Sequence, residues 1–76
     1  MRYINKEMVG YLKQQYPKGA RVELVAMNDP FNTKLYPGCR GTVVGVDSIG
    51  TIHVVWDCGS SLGVVYGEDS CRRVME

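Results

Sequence analysis

The stretch from Gly41 to Val65, GTVVGVDSIGTIHVVWDCGSSLGVV, decides the fold of this 76-residue chain. Three short apolar runs are separated by two four-residue segments, DSIG at 47–50 and DCGS at 57–60. Each segment begins with Asp and carries Gly late in the turn, which is the chemistry of a tight β-turn that needs one residue at positive φ. The stretch therefore predicts a three-stranded meander at the centre of a small barrel.

Alternation of side chains predicts which residues of the meander face the core, because successive side chains of a strand point to opposite faces. In the strand at 51–57, the predicted shared face consists of Ile52, Val54 and Trp56. In the strand before it, Val44 and Val46 are predicted to share one face and Val43 to point the other way. Upstream, alternation at 21–25 predicts that Val22 and Leu24 face inward.

Residues 5–16 are predicted to form a helix, with Asn5 as its N-cap and Pro17 as its stop. Its apolar stripe at helical spacing consists of Met8, Val9, Leu12 and Tyr16. A helix this short is marginal by itself, so it must dock on the rest of the domain. We therefore expect one domain, with the helix at 1–17 packed on a β-barrel at 18–76.

One helix followed by five short strands, with a long first connection at 27–40, favours an SH3-like five-stranded barrel with an N-terminal α-helix. The last strand is expected at 71–75, after a turn at 67–70. The loop at 27–40 contains Phe31, Leu35 and Tyr36, which either fold back onto the core or form an exposed contact surface.

Composition argues against several classes of protein. Nine basic and eight acidic residues give a formal net charge of +1, without the basic stripe of a dedicated duplex-DNA binder. No apolar run approaches the length of a membrane span, and the N-terminus has no signal-peptide core. The odd count of three cysteines predicts free thiols in a reducing compartment. We therefore expect a cytoplasmic protein that does not enter a membrane.

The segments YPKGARVELVAMNDP and GCRGTVVGVDSIGTIHVVWDCGSSLGVVYGEDSCRRV carry a family pattern. With WDxGS at 56–60 as its most specific part, the chain resembles a small bacterial and phage family catalogued as domain of unknown function 4314. The resemblance covers about residues 16–74 and implies an SH3-like barrel and an association with mobile elements. It implies no activity.

Catalytic and metal chemistry find little support in the sequence. Cys39, Cys58, Cys71 and His53 include ligand types that zinc prefers, but no local pair could nucleate a site. One His and three scattered Cys do not form a nucleophilic constellation either. Turn chemistry alone accounts for the residue types at 57–60, with Asp57 expected to accept hydrogen bonds from turn amides. We therefore predict a non-enzymatic protein without a metal or cofactor.

The predicted partner-binding residues combine aromatic and basic side chains: Phe31, Tyr36, Arg40, Trp56, Tyr66, Arg72 and Arg73. Small barrels use such aromatic residues to grip extended peptides, so the leading hypothesis is a protein-interaction module. Two alternatives stay open: an accessory protein that stacks bases of single-stranded nucleic acid, and a phage-type inhibitor of a host defence nuclease. A homodimer through a free strand edge also stays open.

Overall fold

Five antiparallel strands form one sheet beside a short helix in the computed structural model, which describes residues 5–28 and 34–75. The elements in chain order are α1 (Lys6–Gln15), β1 (Arg21–Ala26), β2 (Arg40–Val46), β3 (Thr51–Trp56), β4 (Val64–Val65) and β5 (Ser70–Arg73). Their order across the sheet is β4-β3-β2-β1-β5. The predicted mainly β class with an N-terminal helix is confirmed. The sheet, however, is not closed between β4 and β5, so the predicted barrel is not confirmed.

Helix α1 begins and ends where its local chemistry predicts. The backbone N–H of Met8 donates to the side-chain oxygen of the N-cap Asn5 at 2.7 Å, which satisfies one of the free amides of the first turn. At the other end, the N–H of Tyr16 donates to the carbonyl of Leu12 before Pro17 stops the helix. Val9 and Leu12 are buried, so the apolar stripe docks as expected.

The first turn of the meander is stabilised by an aspartate, as the sequence predicts. The carboxylate of Asp47 accepts hydrogen bonds from the backbone N–H groups of Ile49 (3.1 Å) and Thr51 (2.9 Å). Gly50 takes the positive φ of 84° that the turn requires, and Gly59 does the same in the second turn with a φ of 96°. The turn at 47–50 joins β2 to β3 and so sets the register of that pair.

One predicted side-chain pattern is wrong. In the pairing of β2 with β3, Val43 lies opposite Val54 and Val46 opposite Ile52, with an irregularity between Val43 and Gly45. The extra residue, Val44, interrupts the alternation, because a β-bulge places two residues opposite one. Val43 is therefore buried and Val44 exposed, while Val46 packs against the core rather than lying on the face of Val44.

The core lies between the inner face of the sheet and α1. Its members include Leu12, Val22, Leu24, Leu35, Val43, Ile52, Val54, Trp56 and Val64. Trp56 is 2% exposed, and its indole Nε1–H donates to the carbonyl oxygen of Leu62 at 2.8 Å. Two neighbouring residues of the loop at 27–40 differ in burial: Leu35 is buried in the core, whereas Tyr36 is 63% exposed.

A close backbone approach explains why glycine occupies position 41. A Cβ atom there would lie 2.7 Å from both the carbonyl oxygen of Val55 and a methyl group of Val54. Gly41 pairs directly with Trp56 across the sheet. The absent side chain thus lets β2 and β3 meet beside the largest core residue.

Within residues 5–28 and 34–75, no helix has the length and apolar character needed to cross a membrane.

Truncation of the core tryptophan should remove most of the stability of so small a domain. Trp56→Ala is expected to lower the free energy of unfolding by about 3–5 kcal/mol, because it deletes a fully buried ring and leaves a cavity. Urea denaturation followed by far-ultraviolet circular dichroism measures the loss. The matched control is Val55→Thr on the exposed face of β3, which should stay within about 0.5 kcal/mol of the wild type. A loss at position 56 no larger than the control contradicts the assigned core.

Two glycine-to-alanine changes should move stability in opposite directions. Gly41→Ala is expected to cost about 1–3 kcal/mol, because its methyl group overlaps the backbone of β3. Gly10→Ala, in the helix interior with nothing within 4 Å of the added Cβ, should stabilise the protein by about 1 kcal/mol. Thermal denaturation of both variants tests the pair, and a shift of both midpoints in the same direction contradicts it.

Candidate functional site

A groove lies where the sheet is open, between α1 and the segment that joins β4 to β5. Its volume is about 510 Å³. The described residues that line it are Tyr11, Leu12, Gln15, Tyr16, Ile52, Val64, Tyr66, Gly67, Glu68, Asp69, Ser70 and Cys71. Its position follows from the fold, because helix α1 and the two edge strands, β4 and β5, all contribute residues to its lining.

Three tyrosines give the groove its aromatic character. Tyr11 lies on α1 and is 55% exposed, and Tyr66 follows β4 and is 42% exposed. Tyr16, at the C-terminus of α1, is half-buried, and its hydroxyl donates to the carbonyl oxygen of Cys71 at 3.3 Å. The groove therefore presents rigid rings with polar tips on opposite walls.

The wall at 66–70 is held by the carboxylate of Asp69. One of its oxygens accepts the backbone N–H of Asn28 at 2.8 Å, and the other accepts that of Val65 at 3.1 Å. Gly67 adopts a φ of 88°, which allows the chain to reverse there. These bonds fix the turn that carries Tyr66.

Helix α1 is anchored to β5 at the end nearest the groove. A guanidinium N–H of Arg73 donates to the carbonyl oxygen of Gln15 at 3.0 Å, where the helix leaves acceptors unpaired. A cation at this end also complements the helix dipole. Together with the bond from Tyr16 to Cys71, this contact sets the width of the groove.

The thiol in the groove is protonated at neutral pH. Burial raises the pKa of Cys71 to about 11, although the hydrogen bond with Tyr16 acts in the opposite direction. Burial also raises the pKa of Tyr16, with Cys71 adding to that effect. Since the thiolate is the nucleophilic form of cysteine, this arrangement suits contact rather than covalent chemistry.

The opposite face of the sheet carries two compact charge clusters. Glu23 on β1 accepts hydrogen bonds from Arg40 on β2 (3.2 Å) and from Arg72 on β5 (3.0 Å). The guanidinium groups of Arg72 and Arg40 hold the pKa of Glu23 below its ordinary value. Each arginine lies directly opposite Glu23 in the strand register, so the cluster follows from strand pairing.

The second cluster corrects the predicted role of Asp57. Its carboxylate forms a two-pronged ion pair with Arg21, with Nη1 and Oδ1 3.0 Å apart. Arg21 also donates to the hydroxyl of Thr42 at 3.0 Å. The hydrogen bond and charge of Arg21 lower the pKa of Asp57. In the described part of the chain this carboxylate contacts Arg21 instead of turn amides, so it joins the end of β3 to β1.

The structure separates the residues predicted to bind a partner. Tyr66 lines the groove, whereas Tyr36 is exposed outside its lining. Arg40 and Arg72 lie in the Glu23 cluster and Arg73 contacts the end of α1. Trp56 is buried in the core, so it offers no surface to a partner and we leave it out of the site. Phe31 lies outside the described residues.

Sequence reasoning missed Tyr11 and Tyr16 as groove residues. Tyr16 was assigned to the docking stripe of the helix, and Tyr11 to no site. The signal that could have found them is the i, i+4 spacing of Tyr11 with Gln15 and of Leu12 with Tyr16, which places all four on one side of the helix. Only the docking of the helix, however, brings that side to the turn after β4.

Metal-binding side chains are dispersed in the structure. Cys39 is buried, Cys58 exposed and Cys71 partly buried, and His53 contacts Asp47 at 2.8 Å. Across residues 5–28 and 34–75, no three His, Cys, Asp or Glu side chains form a group that could hold a metal ion.

The fold and the groove define a small, mainly β domain with one docked helix and an aromatic groove beside its open sheet edge. A family model matches residues 5–74, nearly the whole chain. The chain belongs to this family, whose description is domain of unknown function (DUF4314). No curated protein and no solved structure matches the chain.

The charge clusters predict an acid-sensitive stability. Because the folded-state pKa values of Glu23 and Asp57 lie below their ordinary values of 4.5 and 3.8, the unfolded chain binds more protons in acid. Their contribution is complete above those ordinary values and is lost as the pH falls through the folded-state pKa values. The thermal midpoint should therefore drop between about pH 5 and pH 2.

The double variant Glu23→Gln, Asp57→Asn should reduce the height of this acid limb and lower the midpoint at pH 7, while Asp47, whose pKa is also lowered, keeps part of the limb. Glu7→Gln, which touches neither cluster, is the matched control and should retain the limb. Thermal scans across the pH range measure all three proteins. An acid limb of unchanged height in the double variant contradicts the assignment.

Proposed function

We propose that this protein is a non-enzymatic interaction module that binds an extended segment of a partner protein in the groove beside α1. The observation that carries the proposal is the placement of Tyr11, Tyr16 and Tyr66 around a groove of about 510 Å³ at the open side of the sheet. This volume falls within the range of about 300–1,000 Å³ typical of ligand sites.

The residues that line the groove favour a peptide ligand over a small metabolite. Tyrosine supplies a large contact area at low cost in conformational entropy, together with a hydroxyl that can bond to a peptide backbone. Aromatic-lined grooves commonly bind extended or proline-rich segments, whose conformation is already ordered before binding. The walls are also held in place by Asp69 and Arg73, so little ordering is required on binding.

We further propose an SH3-like arrangement of the strands. The consecutive neighbours β1 to β4, with β5 returning beside β1, support it. Bulges in β1 and β2 support it as well, because they bend a sheet toward closure. The proposed association with phage or mobile elements rests on the resemblance stated above, as does the narrower proposal of an inhibitor of a host nuclease.

The nucleic-acid alternative has weaker support. Arg40 and Arg72 share the carboxylate of Glu23, and Arg21 pairs with Asp57. Phosphate binding would have to compete with these internal partners, whereas non-specific affinity for nucleic acid depends on available cations. A titration with single-stranded and duplex oligonucleotides at about 50 mM salt tests this alternative, because such contacts are strong there.

Selection from a displayed random-peptide library tests the groove directly. Peptides enriched on the wild-type protein should bind Tyr11→Ala and Tyr66→Ala at least about fivefold more weakly, since each variant removes an exposed contact ring. Tyr36→Ala is the matched control, because it removes an exposed tyrosine that lies outside the groove lining. Fluorescence anisotropy measures affinity, and circular dichroism checks that each variant folds.

Two outcomes would contradict this site. The first is that selected peptides bind the folded double variant Tyr11→Ala, Tyr66→Ala as tightly as the wild type, which places their site elsewhere. The second is that Tyr36→Ala abolishes binding that the groove variants retain, which returns the site to the loop at 27–40.

A further inference from the structure

We propose that the partner segment places a lysine or arginine side chain in the groove, with its cationic end against the turn at 67–70. The inference rests on the proposed function and names the chemistry of the ligand. It depends on three features of the groove: the sign of its charge, its aromatic rings and its apolar floor.

The charged residues of the described lining are all acidic. Glu68 and Asp69 lie side by side in the turn, and no lysine or arginine is among the described lining residues. The whole chain, by contrast, has nine basic and eight acidic residues. Arg73 lies at the edge of the groove, outside its described lining, where its guanidinium donates to the carbonyl oxygen of Gln15. The described lining itself is negative on a protein of slightly positive net charge, which favours a cationic ligand over an anionic one.

The negative charge of the turn is positioned rather than diffuse. The Asp69 carboxylate is fixed by two backbone N–H groups. One belongs to Val65 in β4 and the other to Asn28, which follows β1. Glu68 extends from the same turn and is exposed. Tyrosine rings attract cations through their negative faces, so Tyr11 and Tyr66 add to the same preference.

The floor of the groove suits the stem of a long basic side chain. Leu12, Ile52 and Val64 line it and are buried in the core. Lysine and arginine place their methylene groups on apolar surface while the charged end stays near water. An apolar floor with an acidic, aromatic rim therefore fits a lysine or arginine side chain better than it fits a wholly apolar or an acidic one.

Four capped pentapeptides test the inference: Ala-Pro-Xaa-Pro-Ala with Xaa as arginine, lysine, citrulline or glutamate. Citrulline is the neutral counterpart of arginine with nearly the same shape. Titration into isotope-labelled protein, followed by amide chemical shifts, should give saturable shifts at 66–71 with the two basic peptides. The citrulline peptide should bind at least about fivefold more weakly, and higher salt should weaken the arginine peptide.

Glu68→Gln should reduce the affinity for the arginine peptide by about threefold or more while leaving the affinity for the citrulline peptide unchanged. Glu7→Gln, outside the groove, is the matched control and should change neither affinity. Equal binding of the citrulline and arginine peptides overturns the charge inference but leaves groove binding intact. Absence of shifts at 66–71 with all four peptides also overturns it, whereas the library selection decides the proposed function separately.

Discussion

The hydrogen bond from the indole of Trp56 to the carbonyl of Leu62 is the interaction on which the rest of the structure depends. It lies at the end of β3 and, together with the hydrogen bond from the N–H of Trp56 to the carbonyl oxygen of Ser60 (2.9 Å), holds the irregular segment 57–63 against the sheet. Because that segment is held, Val64 comes opposite Ile52 and begins β4. The same bond satisfies the one polar atom of the buried indole ring. Trp56 therefore both fills the core and directs the chain back to the sheet.

The groove is a consequence of how β4 ends. This strand has two residues, and a strand so short cannot continue far enough to pair with β5. The chain turns at Gly67 instead, and Tyr66 and Asp69 form an isolated bridge across the turn. Helix α1 docks beside the opening through Leu12 and is anchored by Arg73. The open sheet edge is thereby lined with side chains rather than left as bare backbone, which limits edge-to-edge association.

Local chemistry made much of the scaffold predictable. Asn5 and Pro17 mark the two ends of the helix, and Asp47 and Gly50 form the first turn. The alternation of side chains in β3 predicts its buried face correctly. The bulge at Val44 could not be predicted, because it depends on how β2 pairs with β3 and not on the composition of β2. The groove was likewise hidden, since Tyr11 and Tyr66 are 55 residues apart and meet only after the helix docks. Asp57 was misassigned for the same reason: its partner, Arg21, lies on another strand.

In the proposed function, stability and recognition depend on different residues of this domain. The core uses Trp56, Val22 and Leu24, which are inaccessible, whereas the groove exposes the rings of Tyr11 and Tyr66. Exposed side chains contribute little to the free energy of folding, so substitution of those rings should change the scaffold little. The ion pairs of the outer face have the complementary effect. They pair arginines of that face with carboxylates, whereas the charged residues of the described groove lining are acidic.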